Sequence, residues 1–211
     1  MRKLSLIASM LLIAYTASAQ FMNAENSESS DNDFYNRIEI SYNPISVDGK
    51  FIDCDLKGIT VGQVIGFNVT SQPLFIEVGG RLTYATGDDS KFMQVSVPVN
   101  AVYKFTLSDE WTIAPFAGLV AKGNIFGETE AGGFKAKWFD EDGFDGNRFQ
   151  AGWNIGVGAN YKNFYLGVSY GADFIGLDQT AHIFDLYGDC IYEETFSHDT
   201  SNYAITFGYT F

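Results

Sequence analysis

The sequence predicts an all-β fold, an eight-stranded antiparallel transmembrane up-and-down β-barrel, and three observations carry that prediction. Large apolar residues alternate with small or polar ones in eight successive runs, the period-two signature of strands with unlike faces. The connections between runs are alternately short and long. The second face is built mainly from Gly, Ser, Thr and Asn, which suits the hydrated inside of a narrow cylinder better than the Lys- and Glu-rich outer face of a soluble sandwich.

In chain order, residues 1–19 have the form of a cleavable secretory signal, with Arg2 and Lys3, an apolar stretch and Ala17-Ser18-Ala19 at its end. Its apolar run is shorter than the roughly 20 residues of a spanning helix. Cleavage there removes two bases and no acid, so the formal charge goes from -13 to -13 - 2 = -15. A chain that acidic lacks the basic surface that phosphate backbones require, which excludes nucleic acid as a partner. Residues 20–34 read as a flexible acidic lead-in, and 35–211 as the barrel domain.

The first run sets Ile38, Ile40 and Tyr42 against Arg37, Glu39 and Ser41, and Pro44 is expected to end it. In the second, Ile59, Val61, Ile65 and Phe67 oppose Thr60, Gly62 and Gly66, with Gln63 and Val64 out of phase. The third places Leu74, Ile76, Val78, Leu82 and Tyr84 against Glu77, Gly79, Arg81 and Thr83. The fourth places Val95, Val97, Val99, Ala101 and Tyr103 against Gln94, Ser96, Asn100 and Lys104. The fifth is least regular: Trp111, Ile113 and Leu119 oppose Thr112, Gly118 and Lys122, while Phe116 and Val120 fall on the polar side. The sixth runs from Phe149 to Tyr161 and the seventh from Phe164 to Phe174. The last sets Tyr203, Ile205, Phe207, Tyr209 and Phe211 against Ala204, Thr206, Gly208 and Thr210.

Short connections fall at 71–73, 107–110 and 162–163, and long ones at 44–57, 87–90, 123–148 and 176–201, of which all but 87–90 are extended. Over an even number of strands this collects the short turns and both termini at one end, the arrangement expected with periplasmic termini and extracellular loops. Hydrocarbon leaves no strand edge unpaired, so the eighth strand must return to the first. Aromatics gather at strand ends, among them Tyr42, Tyr84, Tyr103, Phe105, Trp111, Tyr161 and Phe164, as interfacial girdles require.

With its signal segment, its RIEISYNP start, eight strands and a terminal aromatic, the chain resembles the small outer-membrane β-barrel proteins of the OmpA/OmpX-like type over nearly all of its mature length. The resemblance implies that Tyr209 and Phe211 act as a C-terminal assembly signal read by a barrel-assembly machinery. It also implies a monomer embedded in outer-membrane lipid, working in adhesion, envelope integrity or host contact, and it bears on location more than on activity.

Several clusters carry chemistry. Arg37, Glu39, Glu77, Arg81, Lys104 and Lys122, together with Asp173, face the lumen in this reading. They are expected to neutralise one another and fill a barrel too narrow to be an open channel, with Arg81 compensating Glu77 four residues along the same face. A narrow ion-conducting barrel is the alternative. His182 and His198 lie in the last long connection, and Ser197-His198-Asp199 raises the alternative of a rim-located lipid-modifying hydrolase. A triad is a matter of geometry rather than of adjacency, so the expectation is a non-enzymatic protein without a cofactor.

The acidic stretch containing Asp140, Glu141, Asp142 and Asp145 reads as a solvated loop. Calcium at Asp140, Asp142 and Asp145 is its weaker alternative, because the spacing departs from the EF-hand pattern. Cys54 and Cys190 fall in the first and last long connections, which closure makes neighbours, so an exported chain is expected to bridge them. Phe126, Phe134, Trp138, Phe139, Phe144, Phe184, Tyr187 and Tyr192 lie among acids in the two longest connections and suit contact with an extracellular protein or glycan. On this view residues 127–146 can be deleted without loss of barrel assembly.

Overall fold

A computed structural model describes residues 34–49, 53–87, 89–131, 133–139, 144–184 and 190–211. The signal segment, the acidic lead-in up to Asp33, Asp140, Glu141, Asp142 and Tyr187 lie outside the described residues, and Phe34, expected at the end of the lead-in, opens the first strand.

Eight long strands form the barrel: β1 (Phe34–Asp48), β2 (Cys54–Asn68), β3 (Leu74–Gly87), β4 (Ser90–Tyr103), β6 (Trp111–Ala131), β9 (Phe149–Tyr161), β10 (Phe164–Ile175) and β12 (Cys190–Thr210). β5 (Phe105–Thr106) continues β4 beyond Lys104, while β7 (Phe134–Lys137), β8 (Phe144–Gly146) and β11 (Leu177–Phe184) lie at the end opposite the termini. Each long strand pairs antiparallel with its successor, and β12 returns to β1 through partners from Arg37↔Thr210 to Asp48↔Asp199. Asn36 and Phe211 exchange backbone hydrogen bonds of 3.0 and 3.4 Å, so the last residue completes the seam. The cylinder has no free edge along its wall, as a backbone in hydrocarbon requires.

The outward face is the apolar one. Ile38, Ile40, Ile59, Val61, Val97, Val99, Ile155, Leu166, Val168, Ile205 and Phe207 are all exposed, a ring of side chains without protein cover. Rings bound this belt at both ends. Trp111 stacks near Tyr161 at 4.8 Å and Phe164 near Tyr209 at 5.6 Å by the termini, whereas Trp153, Tyr170 and Tyr203 form a ladder at 5.6 and 4.9 Å by the other end. From Phe164 to Phe174 on β10, ten steps of about 3.3 Å tilted by about 40° give a height of about 25 Å, that of an outer-membrane hydrocarbon layer.

The strands do not end where the belt ends. On β1 the inward residues are Tyr35, Arg37, Glu39, Ser41 and Asn43, then Ile45 and Val47; the outward ones are Ile38, Ile40 and Tyr42, then Pro44, Ser46 and Asp48. Parity is kept and polarity is reversed. β2 repeats the change in mirror order, with Cys54 and Leu56 inward and Asp55 and Lys57 outward before Ile59 and Val61 turn to the exterior. Pro44 therefore does not end β1: it lies opposite Lys57 within the ladder, and its ring faces outward. The long connections expected at 44–57, 123–148 and 176–201 are largely strand, because pairing continues above the belt once the outer solvent changes from hydrocarbon to water. Their inward apolar residues Ile45, Val47, Cys54, Leu56, Trp138, Phe139 and Leu177, with Ala85 of β3 and Phe92 of β4, make a core of their own, here termed the outer lobe.

The out-of-phase residues also settle. Val64 points inward and is fully buried, while Gln63 on the outside donates to Asn36 Oδ1 at 3.0 Å. Phe116 packs inside against Tyr35, Phe75, Val102 and Ala114. The two-residue turn Lys162-Asn163 has Lys162 at φ 54°, the left-handed conformation that hairpin turns of this length favour.

Candidate functional site

The lumen is filled in two polar layers under an apolar roof. In the layer nearer the termini, Arg37 on β1 grips Glu77 on β3 with both Nη atoms, at 3.0 and 3.2 Å, and its Nε reaches Glu39 at 3.4 Å. Arg81 donates through Nε to Glu39 at 2.6 Å. Tyr35 donates its phenol to Glu77, and the Arg37 guanidinium lies 3.8 Å from the centre of the Tyr165 ring. A paired fork of this kind satisfies charge and direction together, which ions almost removed from water require.

Arg37, Glu39, Glu77 and Arg81 are thus brought together, in a pairing that differs from the one read along a single strand. Arg81 compensates Glu39, not Glu77. Residues four apart on one strand are separated by about 13 Å, whereas side chains on adjacent strands are within reach of one another, so pairing across strands wins. Lys104 stands apart with its ammonium 3.4 Å from the Tyr35 ring centre and 4.0 Å from that of Phe75, a cation held by two aromatic faces.

Higher in the barrel, Lys122 on β6 pairs with Asp173 on β10 at 2.7 Å. Asp173 also accepts from Thr200 and from Gln150, whose Nε2 lies 3.2 Å away. Gln94 joins Asn124 and Gln150 at 2.8 and 3.0 Å. A cavity of about 60 Å³, room for a small number of water molecules, runs from Ser41 and Arg81 past this layer to Trp138 and Leu177 of the roof. A second cavity of about 160 Å³ opens towards the termini beside Tyr35, Lys104 and Asn160. Arg37, Glu39 and Tyr165 separate the two.

Sequence reasoning missed Tyr35 and Tyr165, the two rings that complete the plug. Parity was the available signal, because both alternate with outward aromatics and glycines lie opposite them. A Cβ on Gly66 would strike the Tyr35 ring, and one on Gly158 or Gly167 would strike Tyr165, so missing side chains on the neighbouring strand, and for Gly167 on the same strand, make room for the rings. Gln94, Gln150 and Thr200 were hidden for another reason: their partners lie on strands distant in sequence.

The outer lobe closes the lumen. Trp138 is buried against Phe92, with ring centres 5.6 Å apart, and its indole nitrogen donates to Thr129 at 2.9 Å. Arg148 holds the following turn by donating to the Phe139 carbonyl at 2.6 Å. Trp138 and Phe139 therefore serve as core, not as exposed contact rings. The segment 127–146 supplies part of that core, so its deletion removes more than a loop.

The Ser197-His198-Asp199 string does not form a triad. His198 is fully buried, with Nδ1 3.0 Å from the Leu177 carbonyl, while Ser197 and Asp199 are exposed on the opposite face of β12. Adjacent residues of a strand point apart, so this string cannot converge on one substrate. His182 lies on β11 opposite Glu193. Of the calcium candidates, Asp145 lies on β8 opposite Thr180, and Asp140 and Asp142 are outside the described residues. Cys54 is buried at the start of β2 opposite Val47, inside the ladder rather than in a loop, and Cys190 opens β12 opposite Phe184. Tyr209 and Phe211 are exposed at the terminal girdle, their rings 6.2 Å apart.

Residues 1–119 match the family described as YfaZ precursor. No curated protein matches the chain. Among solved structures it is similar to the outer membrane protein OprG from Pseudomonas aeruginosa, with a TM-score of 0.51 at 11% identity over 85% of this chain and 96% of that one. It is also similar to Neisserial surface protein A (NspA), with a TM-score of 0.50 at 14% identity over 84% and 97%, respectively. A major outer membrane protein from Thermus thermophilus gives 0.50 at 14% identity over 84% and 99%. At these identities the likeness establishes the fold, that of the small outer-membrane β-barrels, and leaves activity to the residues themselves.

Proposed function

The chain belongs to the YfaZ precursor family, and from that premise we propose that it is a non-enzymatic outer-membrane β-barrel protein acting in envelope integrity or surface contact through its outer lobe. The observation that carries this reading is the reversal of polarity within single strands. An exposed apolar belt needs hydrocarbon around it, and the polar exterior directly above it needs water. The membrane anchors the lower part as a monomer, with lipid as its partner, and the lobe is held out as a rigid extension.

In this proposal both termini and the short turns face the periplasm, and the lobe faces outward. Tyr209 and Phe211 present the signal to the assembly machinery, exposed on a strand that must close last. Contact with an extracellular protein or glycan then falls on the charged outer face of the lobe, since Trp138 and Phe139 are committed to its interior. The two ion layers favour a plugged barrel over a conducting one.

The test is assembly and access. The folded protein is expected to migrate differently on a gel before and after boiling, and protease on intact cells is expected to cut only in connections at the lobe end. Purification as a soluble monomer without detergent would overturn the membrane reading. Cleavage at 71–73 or 107–110 in intact cells would overturn the orientation.

A Cys54–Cys190 bridge is part of the proposal. β12 places Cys190 ten residues beyond Thr200, the residue level with Val47, so the bridge requires the β11–β12 hairpin to lean across the mouth towards β2. The expected result is that neither thiol reacts with iodoacetamide until a reductant is added; alkylation of both without reduction excludes the bridge.

A further inference from the structure

Outward residues of adjacent strands fall into register, and one row carries two lysines where the apolar belt stops. Tyr42 pairs with Ile59, Ile59 with Tyr84 and Tyr84 with Met93, an apolar row across β1 to β4. Two residues further out on the same faces, Lys57 pairs with Thr86 and Thr86 with Lys91. All three are exposed. With strands about 4.8 Å apart, the backbones of Lys57 and Lys91 are separated by about 10 Å, so two extended lysines can converge on one group with the Thr86 hydroxyl between them. Because the strands tilt by about 40°, the row climbs by about 3 Å per strand, and Lys91 stands above Lys57.

The surroundings favour an anion on this side. Lys91 faces Glu128 across the ladder at 3.6 Å, a long contact in which Glu128 is mostly covered and Lys91 stays half exposed. Asp55, the next outward residue of β2, is turned towards β1, where it accepts from Ser46 at 2.8 Å. Around the rim at the closing seam the charge is opposite, with Asp48 and Asp199 exposed and directly paired. Like charges across a ladder repel an anion there and leave β2 to β4 as its place.

Resting on the membrane placement proposed above, we infer that Lys57, Thr86 and Lys91 form a docking site for the phosphate of a phosphorylated outer-leaflet lipid. The ammoniums supply charge, the Thr86 hydroxyl donates to a phosphate oxygen, and the acyl chains lie along Ile59, Tyr84 and Met93. The lipid source follows from position: the site sits directly above a row of side chains that only hydrocarbon can cover.

The test uses the full chain refolded into phosphatidylcholine vesicles containing a minor fraction of spin-labelled phosphatidic acid or lipid A. The wild type is expected to enrich the phosphorylated lipid around itself, and Lys57→Gln with Lys91→Gln to lower that preference about tenfold. Lys162→Gln, at the opposite end and paired there with Glu110, is expected to change nothing. Should the double variant fail to fold, each single variant is expected to lose about threefold. An inserted wild type without preference, or a folded double variant that retains it, overturns the site while leaving the membrane reading intact. Displacement of the lipid by millimolar inorganic phosphate assigns the site to free phosphate and overturns the lipid. Failure to insert at all sinks the membrane reading and this site with it.

Discussion

Replacing Glu77 with Ala destabilises the barrel by about 3–5 kcal/mol, the scale for breaking a buried ion pair from one side. Glu77 takes both Nη atoms of Arg37 and the Tyr35 phenol, and its removal leaves a guanidinium in the lumen with the 3.4 Å contact to Glu39 and the face of the Tyr165 ring. The loss is expected as a lower urea midpoint for the refolded protein in vesicles. Planar-bilayer recordings should show no large stable steps in either protein, since the Tyr165 and Tyr35 rings still fill the section. Glu77→Gln is the informative companion, because it keeps the shape and an acceptor for Tyr35 and removes only the charge. If the two variants were as stable as the wild type, the ion layer would not be holding the barrel together; large conductance steps in the wild type would establish the channel instead.

Trp138→Ala is expected to open the outer lobe and leave the membrane barrel standing. Truncating a buried Trp costs about 3–5 kcal/mol in a well-packed core, and here it removes the ring that covers Phe92 and the hydrogen bond to Thr129. The cost is local because the lobe has its own apolar cluster above the polar layers, and such units open separately from the rest. Hydrogen exchange and protease cleavage within 123–148 should rise sharply, with the heat-dependent gel shift unchanged. Unaltered protection of that segment would mean that the lobe does not depend on this ring; loss of the gel shift would mean that lobe and barrel fold as one unit.

Eight strands, their order, their inward and outward faces and the closing seam were legible in the residues, because a wall between lipid and a narrow lumen imposes period two with one sign along its whole height. Arg37, Glu39, Glu77, Arg81 and Lys122 could be assigned to the interior for the same reason. The reading failed where the sign changed. Pro44, with Ile45 and Val47 now on the polar face and Ser46 and Asp48 on the apolar one, looked like a loop because the rule applied below the belt no longer held above it. Strand propensity and parity had not altered; the solvent outside had.

By itself, then, the sequence determined the wall: which residues face lipid, which face inward, and that the last strand must meet the first. The partners were decided only in three dimensions. That Arg37 takes Glu77 and Arg81 takes Glu39, that Tyr35 and Tyr165 fill the spaces above glycines, and that Trp138 roofs the lumen all depend on register between strands far apart in sequence, as for Ser41 and Thr206, 165 residues apart, whose hydroxyls meet at 2.8 Å. Alternation along one strand is local and repeats every two residues. Register between strands is fixed by closing the whole cylinder, and no single strand contains it.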